Sequence, residues 1–107
     1  MVDLFHLKWG LDENYFYRYI FDENHSYAGE IGYVKETDTT CWMHIIVEYE
    51  KRNQGIGTKA IQLFIEEAKK NRIEEIKVEM DENDKNTAVF IKQGFIKASS
   101  TVFVKKL

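Results

Sequence analysis

A chain of 107 residues that is 44% hydrophobic and 14% aromatic has enough apolar material for one packed core, which excludes a disordered chain and predicts a single domain over residues 1–107. Its net charge of −3 argues against the basic footprint of a nucleic-acid binder and leaves a surface that tolerates cationic partners such as amines. One cysteine excludes an internal disulfide framework; with no apolar signal core and no run of spanning length, the chain reads as a cytoplasmic domain without a membrane partner.

Residues 2–9 alternate loosely, with Leu4 and Lys8 out of pattern, and predict a first strand. A turn over 10–14 leads to the aromatic, β-prone run 15–21. The polar stretch 22–26 then turns the chain into a strand over 27–35, with Gly29 and Gly32 inside it at a bulge or close approach. After a turn over 36–40, residues 41–47 supply a fourth strand, and short turns between strands predict an antiparallel meander. The acidic residues of these turns, Asp12, Glu13, Asp22, Glu23, Glu36 and Asp38, read as solvated. The pattern then changes period. Ile56, Ala60, Ile61, Phe64, Ile65 and Ala68 recur at helical spacing, and Lys69, Lys70 and Arg72 close that helix with cations. Alternation over 73–80 predicts a strand parallel to the fourth, because the intervening helix makes a crossover. A polar loop offers Asn83 and Asn86 as helix N-caps, a short helix over 87–93 stops at Gly94, and strands at 95–97 and 101–105 follow. The fold class is mixed α/β (α+β), with about seven strands in one mixed sheet and two main helices.

The most specific signal lies between the fourth strand and the first helix, in Arg52-x-x-Gly55-x-Gly57. Two glycines flanking one residue at a helix start let the backbone approach a ligand without Cβ interference. The N–H groups of the first turn carry the positive end of the helix dipole, and both features favour a phosphate or pyrophosphate. Gly55-Ile-Gly57-Thr-Lys-Ala60, with Asp81 and Glu82 downstream, also satisfies a dinucleotide fingerprint. That motif wants a tight turn straight off a strand, whereas residues 48–54 intervene here after a meander. No Gly-Lys-Ser/Thr is present, which excludes a P-loop.

This element order and the glycine motif, joined by Asn83-x-x-Asn86…Phe90-Ile-Lys92-Gln-Gly94-Phe95, resemble the GNAT superfamily of acyl-CoA-dependent N-acetyltransferases over residues 41–96. The resemblance implies that the fourth and fifth strands splay apart and that the pantetheine arm of acetyl-CoA lies in the opening like an added strand. Backbone groups of Ile45, Ile46 and Val47 would bond its amides. Asn53, Gln54, Gly55, Ile56, Gly57 and Thr58 would hold the pyrophosphate, with charge from Arg52 and Lys59. Asn83, Asn86 and Phe90 would lie on the cofactor side, and Lys92 would reach the nucleotide end. Acetyl-CoA would be the acyl donor, no metal would take part, and an amine of a protein, peptide or small molecule would attack the thioester directly.

The departures from the family pattern fall on the chemistry. The usual Tyr general acid is replaced by Phe90, and the fourth-strand positions of a Glu or His base are Met43 and Cys41. Cys41 and Glu48 are the catalytic candidates, Glu30 and Tyr33 are groups able to act through water, and Cys41 also reads as a small buried hydrophobe. His44 points by alternation to the face opposite Met43 and Ile45 and reads as structural. A slow or water-assisted enzyme is one outcome; a catalytically silent acyl-CoA-binding module with a regulatory or assembly role is the other. Residues 10–14 leave room only for a turn where the family usually carries one or two helices. This compact form implies an open acceptor side, suited to a protein or peptide amine or to a site completed by a second subunit in a homodimer.

Overall fold

The computed structural model describes residues 3–8, 15–52, 55–81, 84 and 86–107. Four strands, β1 (Asp3–Lys8), β2 (Tyr15–Phe21), β3 (Tyr27–Lys35) and β4 (Thr40–Val47), each pair antiparallel with the next. The helix α1 (Ile56–Lys70) crosses to β5 (Glu75–Glu79), which lies parallel to β4. A short helix α2 (Thr87–Lys92) leads to β6 (Ile96–Lys97) and β7 (Val102–Lys106), and the sheet order is β1-β2-β3-β4-β5-β7-β6. The seven strands, the meander and the parallel step agree with the periodicity of the sequence. The expected first-strand ends at 2 and 9 and the turn at 10–14 lie outside the described residues.

Residues paired in register share a face of the sheet. Phe16, Ile20, Ile31, Tyr33, Cys41, Met43, Ile76, Val78 and Phe103 stand on one face. There α1 buries Ile56, Ala60, Ile61, Phe64, Ile65 and Ala68 in the same hydrophobic cluster. Tyr33 meets Phe64 edge-on at 5.5 Å and stacks on Phe16 at 4.8 Å. The Arg18 guanidinium pairs with the Glu67 carboxylate, and Asn71 Nδ2 donates to the Tyr33 hydroxyl, so β2 and β3 are tied to α1 by polar contacts as well. Phe90 of α2 joins the cluster, edge-to-face on Phe95 at 5.1 Å. Both crossovers step the same way along the sheet, and right-handed connections then put both helices on one side. The opposite face, with Val34, Trp42, His44, Ile46 and Val104, has no described helix over it.

Two of the turn acids hold cations from distant parts of the chain, and of these Asp22 is buried whereas Glu36 stays exposed as expected. Asp22 is 9% exposed: its Oδ1 accepts the N–H groups of Asn24 (2.9 Å) and Ser26 (3.0 Å), and its Oδ2 accepts Lys51 Nζ at 2.6 Å. Glu36 accepts Lys77 Nζ and Trp42 Nε1, each at 2.7 Å. The partner cations lie 29 and 41 residues further along the chain, so local reading of a turn does not find them.

Candidate functional site

The ladder between β4 and β5 stops at Met43 and Val78, while β4 continues to Val47. From His44 onward the two strands are apart. The Glu48 N–H donates to the Ala28 carbonyl at 2.7 Å, which fixes the alternation along β4. Even-numbered residues turn their backbone groups to β3, and Ile45 and Val47 turn theirs into the opening. The backbone of Ile46, expected to bond a ligand, instead faces β3 opposite Glu30; the residue is 55% exposed, with its side chain on the open face.

Gly29, paired with Val47, sets this geometry. Its φ is +152°, and a Cβ there would lie 2.9 Å from Val47 Cα and inside contact distance of the Ile46 carbonyl oxygen. Beside it, Ala28 is an extra residue between the pairs Phe21–Tyr27 and Ile20–Gly29, a bulge that bends β3. The end of β4 therefore packs closely on β3 and diverges from β5.

A single 3₁₀ turn, Tyr49–Lys51, carries the chain from β4 toward α1. The Lys51–Asp22 ion pair anchors it to the β2–β3 turn, and that contact, with the two backbone donors, holds the Asp22 carboxyl down at about 2. Arg52 Nε donates to the Val47 carbonyl at 3.0 Å, and its guanidinium lies 5.7 Å from the Tyr49 ring centre. Arg52 is thereby held between the end of β4 and the start of α1. Gly55 precedes the helix with φ +78°, and no other atom would approach a Cβ there within 4 Å; conformation, not space, requires glycine. At Gly57 the nearest atom to a Cβ would be Val47 Cγ2 at 3.8 Å. The first turn of α1 has no side-chain cap and no acid, and it includes Lys59. The N–H groups of Ile56, Gly57 and Thr58 and the positive end of the dipole are left without a counter-charge on the helix itself. The Ile56 side chain is buried, so that residue offers only its N–H. Asn53 and Gln54 lie outside the described residues.

The remaining candidates divide sharply. Asn83 is outside the described residues. Asn86 is exposed and its side chain makes no cap bond; Asp84 takes the Asn86 N–H on Oδ1 at 2.8 Å and the Thr87 hydroxyl on its carbonyl at 2.9 Å, so Asp84 does the capping. Phe90 is 1% exposed, and its ring belongs to the core instead of a cofactor surface. Lys92 is exposed in the last turn of α2, and Gly94 follows at φ +94°, as expected of a helix stop. Cys41 has no exposed surface and sits in the paired part of β4, opposite Ile76. Burial pushes its thiol up to about 12, so at neutral pH it is a protonated core group and cannot serve as base or nucleophile. Glu48 is exposed at the end of β4. The Tyr27 hydroxyl is pushed above its ordinary value by burial first, then by the carboxylates of Glu30 and Glu48. Among the described residues no group of three or more His, Cys, Asp or Glu is arranged to hold a metal, and no helix is long and apolar enough to cross a membrane. Sequence reasoning missed the Asp22–Lys51 clamp. The Asp-x-Asn-x-Ser spacing of the turn signals its backbone half, and nothing local signals Lys51.

A sequence profile described as the acetyltransferase (GNAT) family matches residues 1–95. No curated protein sequence matches. Among solved structures, the spermidine/spermine N-acetyltransferase of Vibrio cholerae is similar with a TM-score of 0.81 at 12% identity, over 90% of this chain and 67% of that one. The ribosomal-protein-S5-alanine acetyltransferase of Vibrio fischeri gives 0.75 at 18% identity, over 87% and 62%. A GNAT-family acetyltransferase of Streptococcus pneumoniae gives 0.74 at 15%, over 91% and 70%. At such identities the likeness establishes the fold, and the chain spans only 62% to 70% of these relatives' length.

Proposed function

Since this chain belongs to the GNAT family of acetyltransferases, we propose that it transfers the acetyl group of acetyl-CoA to a primary amine by direct attack on the thioester. The observation that carries this reading is the β4–β5 opening, which leads straight to the uncapped start of α1. A pantetheine arm laid along β4 would meet the backbone groups of Ile45 and Val47 as an added strand. Its diphosphate would meet the N–H groups of Ile56, Gly57 and Thr58, with Arg52 and Lys59 supplying positive charge. The amine would approach from the face over which no described helix lies. Its nitrogen bonds to the thioester carbon, the C–S bond then breaks, and the proton lost by the nitrogen leaves with CoA as the thiol. Holding both reactants in place supplies much of the rate. Glu48, on the exposed end of β4, suits the attraction of a cationic amine. The relatives named for spermidine, spermine and a ribosomal-protein alanine all take amines, and the open face favours an extended or protein-borne acceptor. One unpaired, buried thiol fits a reducing cytoplasm.

A second reading, a silent acyl-CoA-binding module, is favoured by one observation: Phe90 holds a ring without a hydroxyl and keeps it in the core. Thermal unfolding with and without acetyl-CoA tests the donor site shared by both readings. At a hundredfold excess over the dissociation constant, specific binding raises stability by about 2.7 kcal/mol. The Gly57→Glu variant places a carboxylate at the helix start and is expected to lose the shift. A folded wild-type protein that shows no shift refutes the donor site. Thiol release that depends on an added amine then separates the enzyme from the silent module.

A further inference from the structure

The open face of the sheet carries one imidazole at the point where the β4–β5 ladder ends. Met43 is the last β4 residue paired with β5, so His44 is the first beyond the split. Parity sets its side chain on the face opposite α1, across from Gly32, which has no side chain to cover it. The diagonal neighbour on β3 is Glu30, the register partner of Ile46.

We propose that His44, with Glu30 beside it, is the acid–base group of acetyl transfer. The inference rests on the acyl-CoA reading above. In that reading the diphosphate lies at the start of α1, and the pantetheine arm runs back along β4 from Val47 toward the apex of the split. His44 is three residues back from Val47, about 10 Å along a strand. The thioester, at the tip of the arm, is therefore brought to the level of His44, on the side from which an amine can approach.

The chemistry balances with this one group. The amine nitrogen attacks the thioester carbonyl carbon, and His44 accepts the proton that the nitrogen must lose. When the tetrahedral intermediate collapses, the C–S bond breaks and the imidazolium returns that proton to the departing thiolate. No separate acid is then required, which accounts for a transferase with phenylalanine at position 90. Burial pushes the imidazole below its ordinary pKa, and the Glu30 carboxylate partly opposes this, so the ring is neutral and able to accept a proton at neutral pH. Elsewhere on this face, Lys77 and Glu79 stand on β5, with Lys77 bound to Glu36, and Tyr19 stands on β2 opposite Glu30.

The test compares the full-length wild type with His44→Gln and Glu30→Gln. Acetyl-CoA-dependent thiol release is followed against pH with a panel of aliphatic amines, diamines and lysine-containing peptides, beside thermal shifts with acetyl-CoA. His44→Gln is expected to lower kcat by roughly 10²–10⁴-fold and to abolish the acid limb of the pH profile. Its KM for acetyl-CoA and its thermal shift should match the wild type, which a merely structural role would not produce. Glu30→Gln should move the acid limb to lower pH, because removing the carboxylate leaves burial to depress the imidazole further. An unchanged kcat or a persistent acid limb in His44→Gln overturns the proposal. A wild type that binds acetyl-CoA but releases no thiol with any amine overturns it while sparing the donor site; one that does not bind acetyl-CoA overturns both.

Discussion

Substituting Gly29 by Ala tests whether the β4–β5 opening is built by the close approach of β3 to β4. The glycine holds φ at +152°, a region L-residues rarely occupy, and strain of that kind costs about 1–3 kcal/mol. The added Cβ would lie 2.9 Å from Val47 Cα, and the nearest atoms are backbone atoms of Ile46 and Val47, which cannot rotate away. Forcing two strands apart to admit a methyl adds about 1–3 kcal/mol of overpacking. The total, roughly 2–6 kcal/mol, is a large part of the about 5–15 kcal/mol that stabilises a domain of this kind. In thermal unfolding the midpoint should fall by at least about 8 °C, and in urea the midpoint should shift with little change in slope. The folded fraction that remains should bind acetyl-CoA more weakly, since Ile45 and Val47 lie on the displaced segment. A loss below about 0.5 kcal/mol, the range of an ordinary surface change, would refute the close approach as the cause.

The other glycines near the site should behave differently from Gly29 and from each other. Gly55→Ala forces a left-handed conformation and should cost about 1–2 kcal/mol, whereas Gly57→Ala meets only an ordinary contact and should stabilise the helix by roughly 0.5–1 kcal/mol; denaturant titration of the pair checks this. The Asp22 carboxyl is lowered from 3.8 to about 2, so the stability it contributes is present above pH 3.8 and is lost as pH falls toward 2. Asp22→Asn should therefore be less stable than wild type at neutral pH and should show a flatter acid dependence over that window. Cys41, with its thiol pushed up to about 12, should resist iodoacetamide at pH 8 in the native protein and react at an ordinary rate in urea; rapid native alkylation, read by mass spectrometry, would contradict its burial.

Short-range pattern in the sequence was enough to define the elements, the meander, the α1 crossover and the glycine entry to the helix. These rest on alternation, 3.6-residue spacing and the conformational demands of Gly55 and Gly94, all carried by residues within a few positions of one another. Long-range placement could not be read that way. Asp22 looks like any turn aspartate until Lys51 arrives 29 residues later and is seated on it. Cys41 stands where a base is sought, and only the covering helix and the paired β5 turn that position into core. For His44, alternation predicts the face correctly, but which face of a sheet is covered depends on the hand of the crossovers. Both helices fall on the other side, so the residue that parity assigns to a structural role stands on the open face at the mouth of the split.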